Sequence, residues 1–173
     1  MADTQTDTFQ LKDSQKKSAS IHLRGGEQKS QPIFSLSFSL QKRGLEMKLH
    51  ITYCSKEKDR TRKDLPAIER YKSKRIKHVK AITDEKDERF AILSGKYGLI
   101  DPDENIPFYD ELMRERDITR LITDVGNFLE SNNVNKVIYH TREVKGQRIP
   151  YFKLIKNACE TLEIELEKRI LSN

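Results

Sequence analysis

Phe90-Ala91-Ile92-Leu93-Ser94-Gly95-Lys96-Tyr97-Gly98-Leu99-Ile100-Asp101-Pro102 is the stretch on which the fold of this chain is decided. Its first residues, Phe90 to Leu93, form a short apolar run that reads as a buried strand. The run stops at Ser94-Gly95-Lys96-Tyr97-Gly98, a turn carrying a hydroxyl, a cation and two glycines free of the usual φ restriction. In an open α/β sheet, a central strand that ends in small and polar residues is the usual place for a ligand.

Strand and helix patterns alternate around this segment. Lys48 to Cys54 reads as the first strand of the domain. Asp64 is placed to cap a helix with Pro66 in its first turn, and Leu65, Ile68, Ile76, Val79 and Ile82 give that helix an imperfect apolar stripe. Phe90–Leu93 follows as the second strand, then a loop through Asp101–Asp110 containing Pro102 and Pro107. Ile118, Leu121, Ile122, Val125, Phe128 and Leu129 fall on one face of the clearest helix, which Asn132-Asn133 ends. Lys136–His140 is a third strand, and Pro150 opens a helix that buries Phe152, Ile155, Cys159 and Leu162. Ile164, Leu166 and Ile170 alternate with charged residues, as in a half-exposed edge strand. Repeated βαβ units predict an α/β fold, a mainly parallel sheet with helices on both faces.

The remaining segment, residues 1–46, is rich in Ser, Gln, Thr, Lys and Asp and shows little periodicity. It is expected to be a largely disordered extension, with a short strand suggested by Phe34, Leu36, Phe38 and Leu40 alternating with polar neighbours. Residues 47–173 are expected to form the single domain. Met47 reads either as the native start or as the end of a regulatory tail, and a dispensable extension is the favoured reading. No run of transmembrane length or signal-peptide pattern is present, so no membrane association and a cytoplasmic location are expected. Two cysteines, Cys54 and Cys159, make neither a disulfide framework nor a zinc pattern. No histidine has metal-ligand spacing with a second His or Cys, so no metal is expected, and no cofactor is assigned.

The net charge of +6 is concentrated in one segment. Lys56, Lys58, Arg60, Arg62, Lys63, Arg70, Lys72, Lys74, Arg75, Lys77 and Lys80 are opposed there only by Glu57, Asp59, Asp64 and Glu69. Such asymmetry predicts an electrostatic footprint for phosphate, hence a nucleic-acid partner. The competing reading is a solvated helix face. Tyr71 is the one aromatic among these charges, so the segment shows no stacking platform for single strands.

The stretch Lys48 to Asp110 also resembles a broad, functionally uncharacterised microbial domain family. Its members open with a strand ending in Cys-Ser-Lys and continue to Leu-Ser-x-Lys-Tyr-Gly-Leu-x-Asp-Pro-Asp, an isoleucine and a Tyr-Asp pair. Cys54-Ser55-Lys56, Leu93 to Asp103, Ile106 and Tyr109-Asp110 are the matching elements here. More distantly, the motif is similar to that of the YaaA-type peroxide-stress proteins. That likeness implies a role in DNA maintenance or stress response. This chain is shorter than those proteins and matches them through one motif, so their DNA-binding elements are not carried over.

Parallel strands bring their C-terminal ends to one edge, where three polar clusters are expected to converge. Ser55 and Lys56, then Ser94, Gly95, Lys96 and Tyr97, then Arg142 could hold a phosphate or carboxylate there. Neither a Walker loop nor a dinucleotide fingerprint is present. Cys54, between a strand and a lysine-rich loop, is a candidate nucleophile; its alternative is a small buried residue. His140 at a strand end is a candidate acid or base, or equally a polar cap of the sheet. Tyr109 could stack on a base or sugar, or pack on the sheet, and Asp110 could accept from a ribose hydroxyl or act as a base. Three functions follow. The first is a nucleic-acid-associated protein with a nucleotide pocket. The second is an enzyme acting on a nucleotide or nucleoside, as hydrolase or glycosyl transferase. The third is a non-catalytic interaction domain whose motif stabilises the fold.

Overall fold

A computed structural model describes residues 46–172 of the chain. The suggested strand at Phe34–Leu40 and the expected extension lie outside the described residues. Strand β1 (Lys48–Tyr53) occupies the centre of a five-stranded sheet because Leu49, His50, Ile51 and Thr52 are all buried and tolerate cover on both faces. It pairs in parallel with β3 (Arg89–Ser94) on one side and β6 (Lys136–Thr141) on the other. Beyond β6 lies β7 (Glu165–Ile170), again parallel, and beyond β3 lies β4 (Gly98–Ile100), antiparallel. The order is β4-β3-β1-β6-β7.

Helix α2 (Lys74–Glu85) links β1 to β3 and packs on both. Helix α3 (Ile118–Ser131) leads into β6 and packs on β4, while α4 (Ile149–Thr161) links β6 to β7 and packs on α3. Right-handed crossovers that run one way from β1 to β3, and the other way from the β3–β4 hairpin to β6 and from β6 to β7, put α2 on one face and the α3–α4 pair on the other. Leu121, Val125 and Leu129 of α3 and Leu154, Ile155, Ala158 and Cys159 of α4 are buried, which accounts for the stripes read in the sequence. Burial holds the Cys159 thiol neutral, with its pKa pushed up to about 12. No helix among the described residues is long and apolar enough to cross a membrane.

The helix expected from Asp64 onward is interrupted. Leu65–Pro66 (β2) pairs antiparallel with Asn105–Ile106 (β5), a short α1 covers Ala67–Arg70, and α2 starts only at Lys74. Tyr71 forms an isolated bridge with Lys58, and Lys72 N donates to Glu57 O at 3.1 Å. These tertiary pairings replace the hydrogen bonds of a continuous helix. The loop expected after Leu93 contains a hairpin: Ser94 pairs with Gly98, and Gly98 adopts φ +75, the left-handed conformation that a glycine accepts without strain.

Candidate functional site

The direction of the chain reverses between β1 and β6, and their C-terminal ends open on a cleft of about 430 Å³. Such a switch point is where a parallel sheet leaves room between diverging loops. β1 delivers Cys54, Ser55 and Lys56 to the cleft, and β6 delivers Arg142. The start of α2 supplies Lys72, Lys74 and Arg75, and the start of α4 supplies Arg148 and Tyr151. Glu57 and Glu111 are the acidic residues on the wall, so the cavity is strongly cationic. Ser73, the N-cap of α2, makes no side-chain cap, which leaves the first-turn amides available to an anion. Among the described residues, Lys72 pairs with Asp59 at 2.9 Å, whereas Lys56, Lys74 and Arg142 join no ion pair.

Arg75 builds the cleft rather than lining it loosely. Its guanidinium carbon lies 3.5 Å from the centre of the Tyr53 ring, and it donates to Thr52 Oγ1 and, at 3.2 Å, to Cys54 O. Burial lowers its pKa, yet an arginine so placed stays charged. Cys54 is nearly covered, with Sγ 3.4 Å from the Tyr151 hydroxyl. Behind it the Tyr71 and Tyr109 hydroxyls share a short hydrogen bond, and Tyr109 reaches Ser94 Oγ at 2.8 Å. Burial, and then the neighbouring Cys54, push Tyr71, Tyr109 and Tyr151 well above the usual phenol range. All three therefore remain neutral hydroxyls that donate and accept hydrogen bonds.

The residues expected at the site divide. Cys54, Ser55, Lys56 and Arg142 come together in the cleft, although Ser55 Oγ already donates to Glu57 O at 2.5 Å. Ser94 is fully buried, and its Oγ accepts from Lys96 N at 3.1 Å and Tyr97 N at 3.2 Å. Gly95 sits against Met113, where even a Cβ would approach Met113 Cβ to 2.8 Å. Lys96 lies 3.5 Å from Glu111 and 5.4 Å from the centre of the Tyr109 ring, and Tyr109 packs edge-on against Tyr71 and Tyr97. The Ser94 hydroxyl and the Lys96 and Tyr97 amides of the turn thus satisfy one another, and the Lys96 ammonium reaches the surface. Asp110 is exposed on a neighbouring groove.

His140 points into the sheet interior instead of the cleft. Its Nε2 is 2.8 Å from His50 Nδ1, and the rings stack at 5.0 Å between centres. His50 Nε2 in turn lies 2.8 Å from Glu88 Oε2. Burial, and then the neighbouring His50, lower the His140 pKa to about 4, and burial lowers that of His50.

The basic segment also divides. Lys56, Lys72, Lys74 and Arg75 face the cleft, and Lys58 and Arg60 face the adjoining groove. Arg62 and Lys63 are exposed on a loop, and Lys77 and Lys80 border a shallow surface that meets the cleft only at Lys72, with Lys80 bonded to Asp84 at 2.6 Å. Arg70 is fully buried and donates to the carbonyls of Asp59 at 2.6 Å, Thr61 at 3.1 Å and Ile106 at 3.1 Å, and to Lys63 O. It pins the loop that carries its basic neighbours.

Arg148 and Tyr151 were not anticipated from sequence. The signal was present: Pro150 marks a helix start, and a helix following β6 starts near the strand end. Among the described residues no group of three or more His, Cys, Asp or Glu side chains is placed to hold a metal ion. No family model, curated protein or solved structure matches this chain.

Proposed function

We propose that the protein binds a phosphate-bearing ligand in the cleft between β1 and β6, as part of a nucleic acid or as a free nucleotide. One observation carries this reading. Lys56, Lys74, Arg142 and Arg148 converge with the uncapped N-terminus of α2 on one concave surface at the chain's switch point. A phosphate there would meet both mobile cations and fixed amide donors, the combination that favours an anion over a cation or an apolar ligand. Nucleic acid is placed ahead of a free nucleotide because Lys58 and Arg60 extend the positive surface beyond the cleft. The motif resemblance to YaaA-type proteins supports the same preference and a cytoplasmic role in DNA maintenance or stress response.

A second reading, an enzyme acting on a nucleotide or nucleoside, is favoured by Cys54. Its sulfur lies at the cleft within reach of the Tyr151 hydroxyl, a proton donor beside a nucleophile. Fluorescence anisotropy of the full chain with labelled DNA and RNA, titrated with salt and with competing nucleotides, tests the first reading. Binding that falls steeply with salt and resists nucleotides supports nucleic acid. Displacement by millimolar nucleotide supports the free ligand, and binding of neither class contradicts both.

A further inference from the structure

Phe108 is a large apolar side chain that stands 40 % exposed in the middle of charged neighbours. It belongs to a groove of about 570 Å³ whose walls are Lys56, Glu57, Lys58, Arg60, Lys72 and Asp110. Lys56, Glu57 and Lys72 line the cleft as well, so the groove runs on from it. The backbone presenting Phe108 is fixed on both sides. Ile106 pairs with Leu65 and is buried, and Tyr109 is buried with its hydroxyl bonded to Ser94. The ring is therefore held out on an anchored segment, so stacking on it costs little conformational entropy. The backbone on either side of Arg60 is held as well, because the carbonyls of Asp59 and Thr61 are fastened by Arg70.

A solvent-facing aromatic ring between cations is the arrangement that single-stranded nucleic acid uses, with bases on the ring and phosphates on the charges. A duplex keeps its bases stacked on one another and would leave the ring without a partner. Tyr71, the aromatic that the sequence places among the basic residues, is fully buried and cannot serve. The stacking residue comes instead from a segment remote in sequence.

We infer that the groove around Phe108 is a base-stacking subsite for single-stranded nucleic acid, with one nucleotide stacked on Phe108 and its neighbour's phosphate in the cationic cleft. This rests on the phosphate-binding reading of the cleft and adds strandedness to it. A mononucleotide in the cleft is blind to Phe108, whereas a strand spanning both sites depends on it.

The chain contains no tryptophan, so Phe108→Trp introduces a single indole at the proposed contact. A labelled 12-nucleotide strand, as DNA and as RNA, is titrated with full-length wild type, Phe108→Trp, Phe108→Ala and Arg142→Glu, alongside an abasic strand and a duplex. Indole quenching that saturates together with the anisotropy signal is expected, and it should vanish with the abasic strand. Phe108→Ala should weaken the intact strand by roughly 5- to 150-fold, the range of one lost base stack, and leave the affinity for a mononucleotide unchanged. Wild-type binding of the strand by Phe108→Ala, or binding of Phe108→Trp without quenching, overturns the subsite. So does a duplex held as tightly as the strand. If Arg142→Glu abolishes mononucleotide binding in any of those cases, the cleft reading stands alone. If wild type binds neither strand nor nucleotide, both fall.

Discussion

Arg75 stacks 3.5 Å above the Tyr53 ring at the point where β1 leaves the sheet and α2 begins. That contact ties the two elements whose ends frame the cleft, and it fixes the Arg75 guanidinium with one face on the aromatic and its edge on Thr52 Oγ1 and Cys54 O. Arg75→Lys keeps the charge and loses the planar fork and the stack. A loss of about 1–3 kcal/mol in urea unfolding is expected, together with weaker ligand binding. Unchanged stability and affinity would show that the stack does not organise the cleft.

Ser94→Ala should act on stability alone. It removes the acceptor shared by the part-buried Lys96 N and Tyr97 N and the buried partner of the Tyr109 hydroxyl. The expected cost is about 1–3 kcal/mol for buried groups left unpaired. Ligand affinity should remain within about twofold at a temperature where the variant is folded, since a hydroxyl outside the cleft supplies no direct contact.

Two glycines should respond oppositely to the demand for space. At Gly95 a Cβ would lie 2.8 Å from Met113 Cβ and 2.9 Å from both Met113 N and the Tyr151 hydroxyl. Gly95→Ala is expected to cost about 1–3 kcal/mol through overpacking. Around Gly146 nothing lies within 4 Å, and φ +56 alone penalises Gly146→Ala, by about 1 kcal/mol. Comparison of the two melting temperatures checks the contrast.

The His50–His140 pair sets an acid limit on stability. Both are held neutral in the folded chain by burial, His140 with a pKa of about 4 against 6.5 when unfolded. The unfolded chain therefore binds more protons below 6.5, and stability falls as pH drops from about 6.5 towards 4. His140 alone contributes of order 3 kcal/mol to that loss. Around the pair, Glu88 and Glu167 favour the protonated forms, and Lys86 and Arg169 oppose them. Asp59, held down to about 2 by the Thr61 amide and by Lys72, titrates below this window. Urea midpoints at pH 7, 5.5 and 4.5 should decline for wild type and flatten for His140→Gln.

The parallel strands were legible because β1, β3 and β6 are apolar runs too short for helices, and α3 because its buried residues recur every three or four positions. The break before α2 was not. Ile68, Ile76 and Val79 keep helical spacing across it, and the stop shows only in tertiary pairings, of Tyr71 with Lys58 and of Lys72 N with Glu57 O. The Ser94–Tyr97 turn read as a ligand cradle because its hydroxyl and amides are the groups that bind anions. In the fold they bind one another. Arg70 was indistinguishable from its solvated neighbours, since what separates them is four backbone carbonyls from distant residues. Half the cleft, Ser55, Lys56 and Arg142, follows from strand ends, while Phe108 needs the loop that carries it back to the basic segment.

Charge reversal inside and outside the cleft is the most direct test of phosphate binding there. Lys74→Glu with Arg142→Glu reverses exposed cations on the cleft wall, whereas Lys77→Glu with Lys80→Glu reverses equal charge on the shallow surface beside Asp84, which shares only Lys72 with the cleft. Both double variants change the net charge equally, so general attraction falls alike. Anisotropy titrations at 0.15 M salt with labelled oligonucleotide and nucleotide should show binding lost in the first pair and largely kept in the second. Equal losses, or a greater loss in the second pair, would contradict a site at the cleft.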